Sequence, residues 1–185
     1  MDVVLVEPEI PHNSGCAGRL TAALGVRLHL VEPLGFVLED RYLKRAGLDY
    51  WSQVDLTVHP DLATCWAHLA AGSERPLEDR IQLFSARGGT SLFEATFAPD
   101  DVLVFGSESK GLADAVLEAF PDRHVYLPIR PGIRSLNLAN TVAVGLYHAL
   151  WKSGSPLPDN DGSHEPPADR DAQPVDIARR TGPAD

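Results

Sequence analysis

LPIRPGIRSLNLANTVAVGLYHALWK, residues 127–152, is the stretch on which the reading of the fold turns. It opens on an apolar segment and passes through a loop punctuated by Pro128, Pro131 and Gly132. It then runs into a segment with apolar residues at helical spacing. Leu138, Val142, Leu146 and Leu150 fall on one stripe, with Tyr147 and Trp151 beside it. The loop and the helix start hold Arg130, Arg134, Ser135, Asn137 and Asn140. A bare connection has no need of so many polar groups. A site that grips a polar ligand or an anion does.

Upstream of this stretch the pattern is strand, helix, strand. The segments 2–7, 26–33, 54–60, 80–84, 102–105 and 124–129 read as buried strands. Helices are expected from Asn13 or Ser14 as cap to Leu24, with Gly25 closing it, and in the basic segment 39–51. Further helices are expected over 61–71, with Leu62, Trp66, Leu69 and Ala70 inward, and over 112–120; 90–100 reads as a short helix and a loop. This alternation predicts an α/β fold: a mostly parallel six-stranded sheet with helices on both faces.

In such sheets ligands bind beyond the carboxyl ends of the strands. Three loops at those ends are polar or glycine-rich: 85–89, 106–111 and 130–137. Arg19 falls near the same edge, as either a site residue or a solvated arginine. Glu108 is either a site carboxylate or an acid favoured by a helix N-terminus. The spacings GxxxxGK[ST] and GxGxxG are absent, so P-loop and Rossmann nucleotide binding lack support. No metal constellation and no Ser–His–Asp arrangement stands out. Arg41, Lys44 and Arg45, with Tyr50 and Trp51 beside them, combine phosphate-neutralising charge with stacking planes. A solvated charged face next to packing aromatics has the same appearance.

The chain suits a single domain over residues 1–152, followed by an acidic, proline-rich tail over 153–185 that is expected to be disordered. The net charge is −10, of which the tail supplies −4 through seven acids against three arginines. RNA binding would therefore need a local basic face, or one assembled between subunits. Cys16 and Cys65 form no disulfide framework and are expected to be packed in a reduced, cytoplasmic setting. No apolar run reaches about 18 residues, and no signal peptide is expected at MDVVLVEPEI.

Five blocks occur together: VEPEIPHNSGCAGRL (6–20), RLHLVEPLGF (27–36), LKRAGLDYW (43–51), FGSESKGL (105–112) and LPIRPGIRSLNLANTVAVGLYHALW (127–151). In this order they resemble the SPOUT-class ribose 2′-O-methyltransferases, most of all the small enzymes that methylate the wobble nucleotide of leucine tRNAs. The resemblance spans about residues 3–152. It implies a deep trefoil knot near the C-terminus, an exception to unknotted chains. It implies S-adenosylmethionine as methyl donor, S-adenosylhomocysteine as product and no metal. It implies a homodimer through the N-terminal and C-terminal helices, although periodicity leaves the 138–150 stripe equally open to an internal role.

By the same resemblance, Phe84, Gly106, Glu108, Leu127, Ser135 and Asn140 belong to the cofactor pocket. Arg19, Asn13, Glu108, Ser135 and Asn137 belong to the catalytic set, and Arg41, Lys44, Arg45, Arg130 and Arg134 to the tRNA surface. Arg19 matches an arginine proposed as base in the family. A guanidinium with a pKa above about 12 is a poor base, and binding a phosphate or a developing alkoxide suits it better. Two blocks depart from the family: Asn13-Ser14-Gly15-Cys16 where Asn-Thr-Gly-Asn is usual, and Ser107-Glu108-Ser109-Lys110-Gly111 where Pro-Glu-Thr-Arg-Gly is usual. They bear on which RNA is the substrate. Alternatives are a SPOUT enzyme acting elsewhere on tRNA or on rRNA, a non-catalytic RNA-binding homologue and, more distantly, a small-molecule enzyme.

Overall fold

Continuous runs of Val, Leu, Ile and Phe favour strands buried on both faces. The computed structural model, which describes residues 1–38 and 51–159, forms such strands. They are β1 (Asp2–Val6), β2 (Arg27–Val31), β3 (Leu56–His59), β4 (Ile81–Phe84), β5 (Thr90–Ser91), β6 (Val102–Phe105) and β7 (His124–Tyr126). They form one sheet in the order β3-β2-β1-β6-β4-β7-β5, and every pair is parallel. The helices are α1 (Pro11–Leu24), α2 (Leu62–Ala71), α3 (Leu77–Arg80), α4 (Asp114–Ala119) and α5 (Leu138–Lys152). Arg41, Lys44, Arg45, Tyr50 and residues 160–185 lie outside the described residues.

Alternation along the strands divides the core into two. Val3, Leu5, Leu28, Leu30, Leu103 and Phe105 pack under Ala17 of α1 and Leu138, Val142, Leu146 and Leu150 of α5. Val4, Val31, Ile81, Leu83, Val102 and Val104 pack under Cys65 and Leu69 of α2 and Leu117 of α4. Helices therefore cover both faces, as the alternation predicted. The stripe on α5 is internal core, while Val144, Tyr147 and Trp151 stay exposed.

Several local expectations change. The sheet has seven strands, because β5 pairs with β7 inside the segment read as a short helix. Two residues are too few for an alternation signal, and Leu92–Glu94 form a turn. Asn13 and Ser14 do not cap α1. Ile10 does, with Pro11 in the first turn, and both polar residues are buried inside the helix. Gly25 closes α1 in the left-handed region, φ 64°, as expected. On α2 Asp61 is the cap, its Oδ1 accepting the Thr64 N–H at 2.7 Å. The buried side of α2 is Cys65 and Leu69, and Ala70 is exposed. Burial pushes the Cys65 thiol up to about 12. Cys16, expected to be packed, is exposed with its Sγ 3.6 Å from His12 Nε2, because it sits on the outer face of α1. Trp51 offers no stacking plane for RNA. It is buried against Gly18 of α1.

Candidate active site

The loops that follow β4, β6 and β7 meet at the carboxyl edge of the sheet and enclose a cavity of about 700 Å³. Ser85, Ala86 and Arg87 line it from the first loop, Gly106–Leu112 from the second, and Leu127, Ile129 and Arg134–Leu138 from the third. Phe84 and Phe105 form its floor, their rings stacked with centroids 4.5 Å apart. The convergence expected of the three polar loops is present. Gly106 is where the second loop folds back on itself: Ser107 and Gly111 form a bridge. A Cβ at 106 would overlap the backbone of Gly111 and Leu112, so only glycine fits.

Glu108, Asn13 and Asn137 form one hydrogen-bonded chain. The carboxylate of Glu108 accepts the Glu9 N–H (2.7 Å), the Ile10 N–H (3.2 Å) and Asn13 Nδ2 (2.8 Å). Because a carboxylate only accepts, Asn13 must turn its amide nitrogen to Glu108 and its oxygen away. That oxygen accepts Asn137 Nδ2 at 3.0 Å. The oxygen left on Asn137 then caps α5 by accepting the Asn140 N–H at 3.2 Å. One relay thus ties the start of α1, the second loop and the start of α5. With three donors already on it, Glu108 acts as an anchor for these segments.

The other expected residues separate by position. Phe84, Gly106, Glu108, Leu127, Ser135 and Asn137 line the cavity, as do Asn13 and Arg134. Asn140 is exposed and outside the lining; its backbone serves the α5 cap. Arg19 and Arg130 are exposed and outside the lining as well. Arg19 lies on the outer stripe of α1 with His12, Cys16 and Ala23, on the helix that packs against α5. Sequence reasoning passed over Glu9, Arg87 and Ile10. Arg87, in the first loop, pairs with Asp114 at the start of α4.

The cavity is apolar at its floor and polar at its rim. Arg87, Lys110 and Arg134 bring positive charge to it, and its walls are loop backbone rather than a set of converging acids. Among the described residues no group of His, Cys, Asp and Glu has a geometry that could hold a metal ion. Such a site suits an amphipathic organic ligand and an anionic partner.

Residues 1–147 match the model of the SpoU rRNA methylase family. The chain belongs to the SpoU methylase family. It is 48% identical over 154 residues to the tRNA (cytidine(34)-2′-O)-methyltransferase of Burkholderia pseudomallei, covering 83% of this chain and 96% of that protein. It is 45% identical over 168 residues to the enzyme of the same name from Polaromonas sp., covering 90% of this chain and 96% of the relative. A solved structure described as giving insights into 2-OH methylation of C/U34 on tRNA superposes with a TM-score of 0.73 at 46% identity. The match covers 82% of this chain and 94% of that one. This SpoU methylase thus shares a parallel α/β fold with its relatives along nearly their full length.

Proposed function

We propose that this SpoU methylase transfers a methyl group to the ribose 2′-hydroxyl of nucleotide 34 of tRNA, with leucine tRNAs as the first substrates to test. The observation that carries the reading is the cavity built by three loops at the carboxyl edge. Its support is the near full-length identity to tRNA (cytidine(34)-2′-O)-methyltransferases. S-adenosylmethionine fits the cavity: the glycine-bounded second loop leaves backbone open to a ligand, and stacked Phe84 and Phe105 give an apolar floor. When bound, this cofactor supplies a methyl group on a sulfonium, which needs no metal for activation. Phe84, Gly106, Leu127 and Ser135 would hold it.

The chain's own residues then have three tasks. The Glu108–Asn13–Asn137 relay keeps the loops in register with α1 and α5. Arg134 and Lys110, at the cavity rim, neutralise RNA phosphates together with Arg130 and with Arg41, Lys44 and Arg45 of the basic segment. Arg19 stabilises charge on the reacting hydroxyl or its neighbouring phosphate, while the proton leaves to water or phosphate. Because Arg19 lies outside the cavity of its own chain, a homodimer through α1 and α5 is part of the proposal. Exposed Val144, Tyr147 and Trp151 support it. A trefoil knot made by the three loops and α5 belongs to the same reading, as does a cytoplasmic location with the substrate. No described helix is long and apolar enough to cross a membrane.

The test is methylation of total tRNA by the purified chain with S-adenosylmethionine, followed by mapping of the modified nucleotide. A 2′-O-methyl group at nucleotide 34 is expected. Modification at another position would replace the substrate, and failure to bind S-adenosylmethionine would remove the enzyme reading.

A further inference from the structure

Two carboxylates meet at the rim of the cavity, and each holds the backbone of the other's loop. Glu9 Oε1 accepts the Ser109 hydroxyl at 2.6 Å and Oε2 accepts the Ser109 N–H at 3.1 Å. In return Glu108 takes the N–H groups of Glu9 and Ile10. Among the described residues, the donors to both acids are uncharged N–H and O–H groups, Asn13 included. The clasp joins segments about 100 residues apart in sequence.

The backbone around Glu9 is shaped for this contact. Glu7 has φ 50°, a left-handed conformation that a non-glycine residue keeps only where its surroundings impose it. Its N–H is fixed to the Val31 carbonyl at 2.9 Å. From the other side the Gly35 N–H donates to the Pro8 carbonyl at 2.9 Å. A Cβ at 35 would lie 2.6 Å from the Glu9 carbonyl oxygen, so only glycine allows the 34–36 segment this close. Glu9 therefore stands where three segments meet. One leads along the chain toward Arg41, Lys44 and Arg45; one starts α1, which bears Arg19; one is the 107–111 wall of the cavity.

We propose that Glu9 is a positioning residue for methyl transfer. Through Ser109 it fixes the 107–111 wall against the start of α1, so that the cofactor side and the RNA side of the site are held in one frame. The inference rests on the function proposed above and gives Glu9 no contact with a reacting atom. Displacements of about 1 Å away from the reacting groups are enough to cost about 100-fold in rate. The Glu9–Ser109 pair is the contact whose loss would permit such a displacement while leaving the floor of the cavity intact.

The experiment compares Ser109→Ala, Ser109→Thr and Glu9→Gln with the wild-type chain, reading kcat for tRNA methylation and S-adenosylhomocysteine affinity by calorimetry. Ser109→Ala and Glu9→Gln are expected to lose at least tenfold in kcat while product affinity stays within threefold. Ser109→Thr keeps the hydroxyl and is expected within twofold of wild type. Ser109 is exposed, so its variants carry the test even where Glu9→Gln does not fold. Unchanged kcat in Ser109→Ala would overturn the proposal alone, as would a threonine variant as impaired as the alanine one. Loss confined to product affinity would overturn it too. A wild-type chain that methylates no tRNA overturns the proposed function and this inference with it.

Discussion

At the amino ends of β1, β4 and β6, Asp2, Arg80 and Asp101 are buried to within 1% exposure; at the carboxyl ends of the same strands lie Glu9, the loop after Phe84, and Glu108. Both edges are polar, but they manage charge differently. At the amino edge, acids face bases. Arg27 holds Asp2 at 2.6 Å, Arg75 holds Asp100 at 2.6 Å and also Asp101, and Arg80 approaches both Asp2 and Asp100. Arg80 also donates to the carbonyls of Asp100 and Leu69. Burial would raise the Asp2 carboxyl, but the His29 and Arg27 hydrogen bonds hold it below its ordinary range. At the carboxyl edge Arg87 pairs with Asp114, but the described donors to Glu9 and Glu108 are uncharged N–H and O–H groups, which leaves Lys110 and Arg134 at the cavity. One edge neutralises its own charges; the other keeps cations for a ligand. The first should govern stability and the second activity.

The largest expected effect comes from removing Arg80. Taking one partner from a buried charge network leaves the others unpaired, at a cost of about 3–5 kcal/mol. Arg80→Met should lower the stability read by urea unfolding by that amount, while the folded fraction retains its methylation rate. Arg19→Ala is the mirror case. Methyl transfer by the folded chain should fall about 100-fold or more. Cofactor affinity should stay within twofold, because Arg19 lies outside the cavity lining. Equal loss of affinity and rate would place Arg19 in the pocket and blur the contrast between the edges.

The two edges also differed in how far they could be read beforehand. The three loops at the carboxyl edge announced themselves through local density of Gly, Pro and polar residues, whereas the capping of α5 by Asn137 came only with the structure. The amino-edge network has no local pattern. Arg80 reaches Asp100 and Asp2, which are 20 and 78 positions away in sequence. The Glu9–Ser109 contact was hidden for the same reason. Residue type favours Asn13 or Ser14 as a helix cap. Here Pro11 starts the helix earlier and turns Asn13 inward to Glu108. Trp51 follows the basic segment in sequence, which says nothing of its burial; its ring lies against Gly18.

A histidine chain extends the amino-edge network toward β3 and offers a pH test. His29 Nε2 lies 3.2 Å from Asp2 Oδ1 and His29 Nδ1 lies 3.0 Å from His59 Nε2. An ionised Asp2 only accepts, so His29 donates from Nε2; with both rings neutral, His29 Nδ1 then accepts from His59 Nε2. The rings of His29, His59 and His68 lie 5.2–5.5 Å apart by centroid. Burial, then the charges of His29 and His68, lower His59 to about 4, against a small opposing pull from Asp61. A lowered folded pKa means that protonation favours unfolding. The contribution is complete above pH 6.5 and is lost as pH falls toward about 4. Its size is on the order of 2–3 kcal/mol. His59→Asn should flatten unfolding stability between those pH values, and an unchanged pH profile would detach His59 from the network.

Arg134→Ala is expected to give the smallest effect and the sharpest reading of the carboxyl edge. Arg134 is exposed, lines the cavity, and has no acid partner among the described residues. Removing it therefore breaks no ion pair among the described residues, and the unfolding midpoint should not move. A cation on an RNA phosphate releases counterions, so each contact adds about 0.7–0.9 to the slope of log affinity against log salt. The variant should bind tRNA a few-fold more weakly at moderate salt, with that slope reduced by roughly one contact. Weaker binding with an unchanged slope would mean that Arg134 touches a base or the cofactor instead. A loss of stability would mean that this edge, too, spends its charges on the fold.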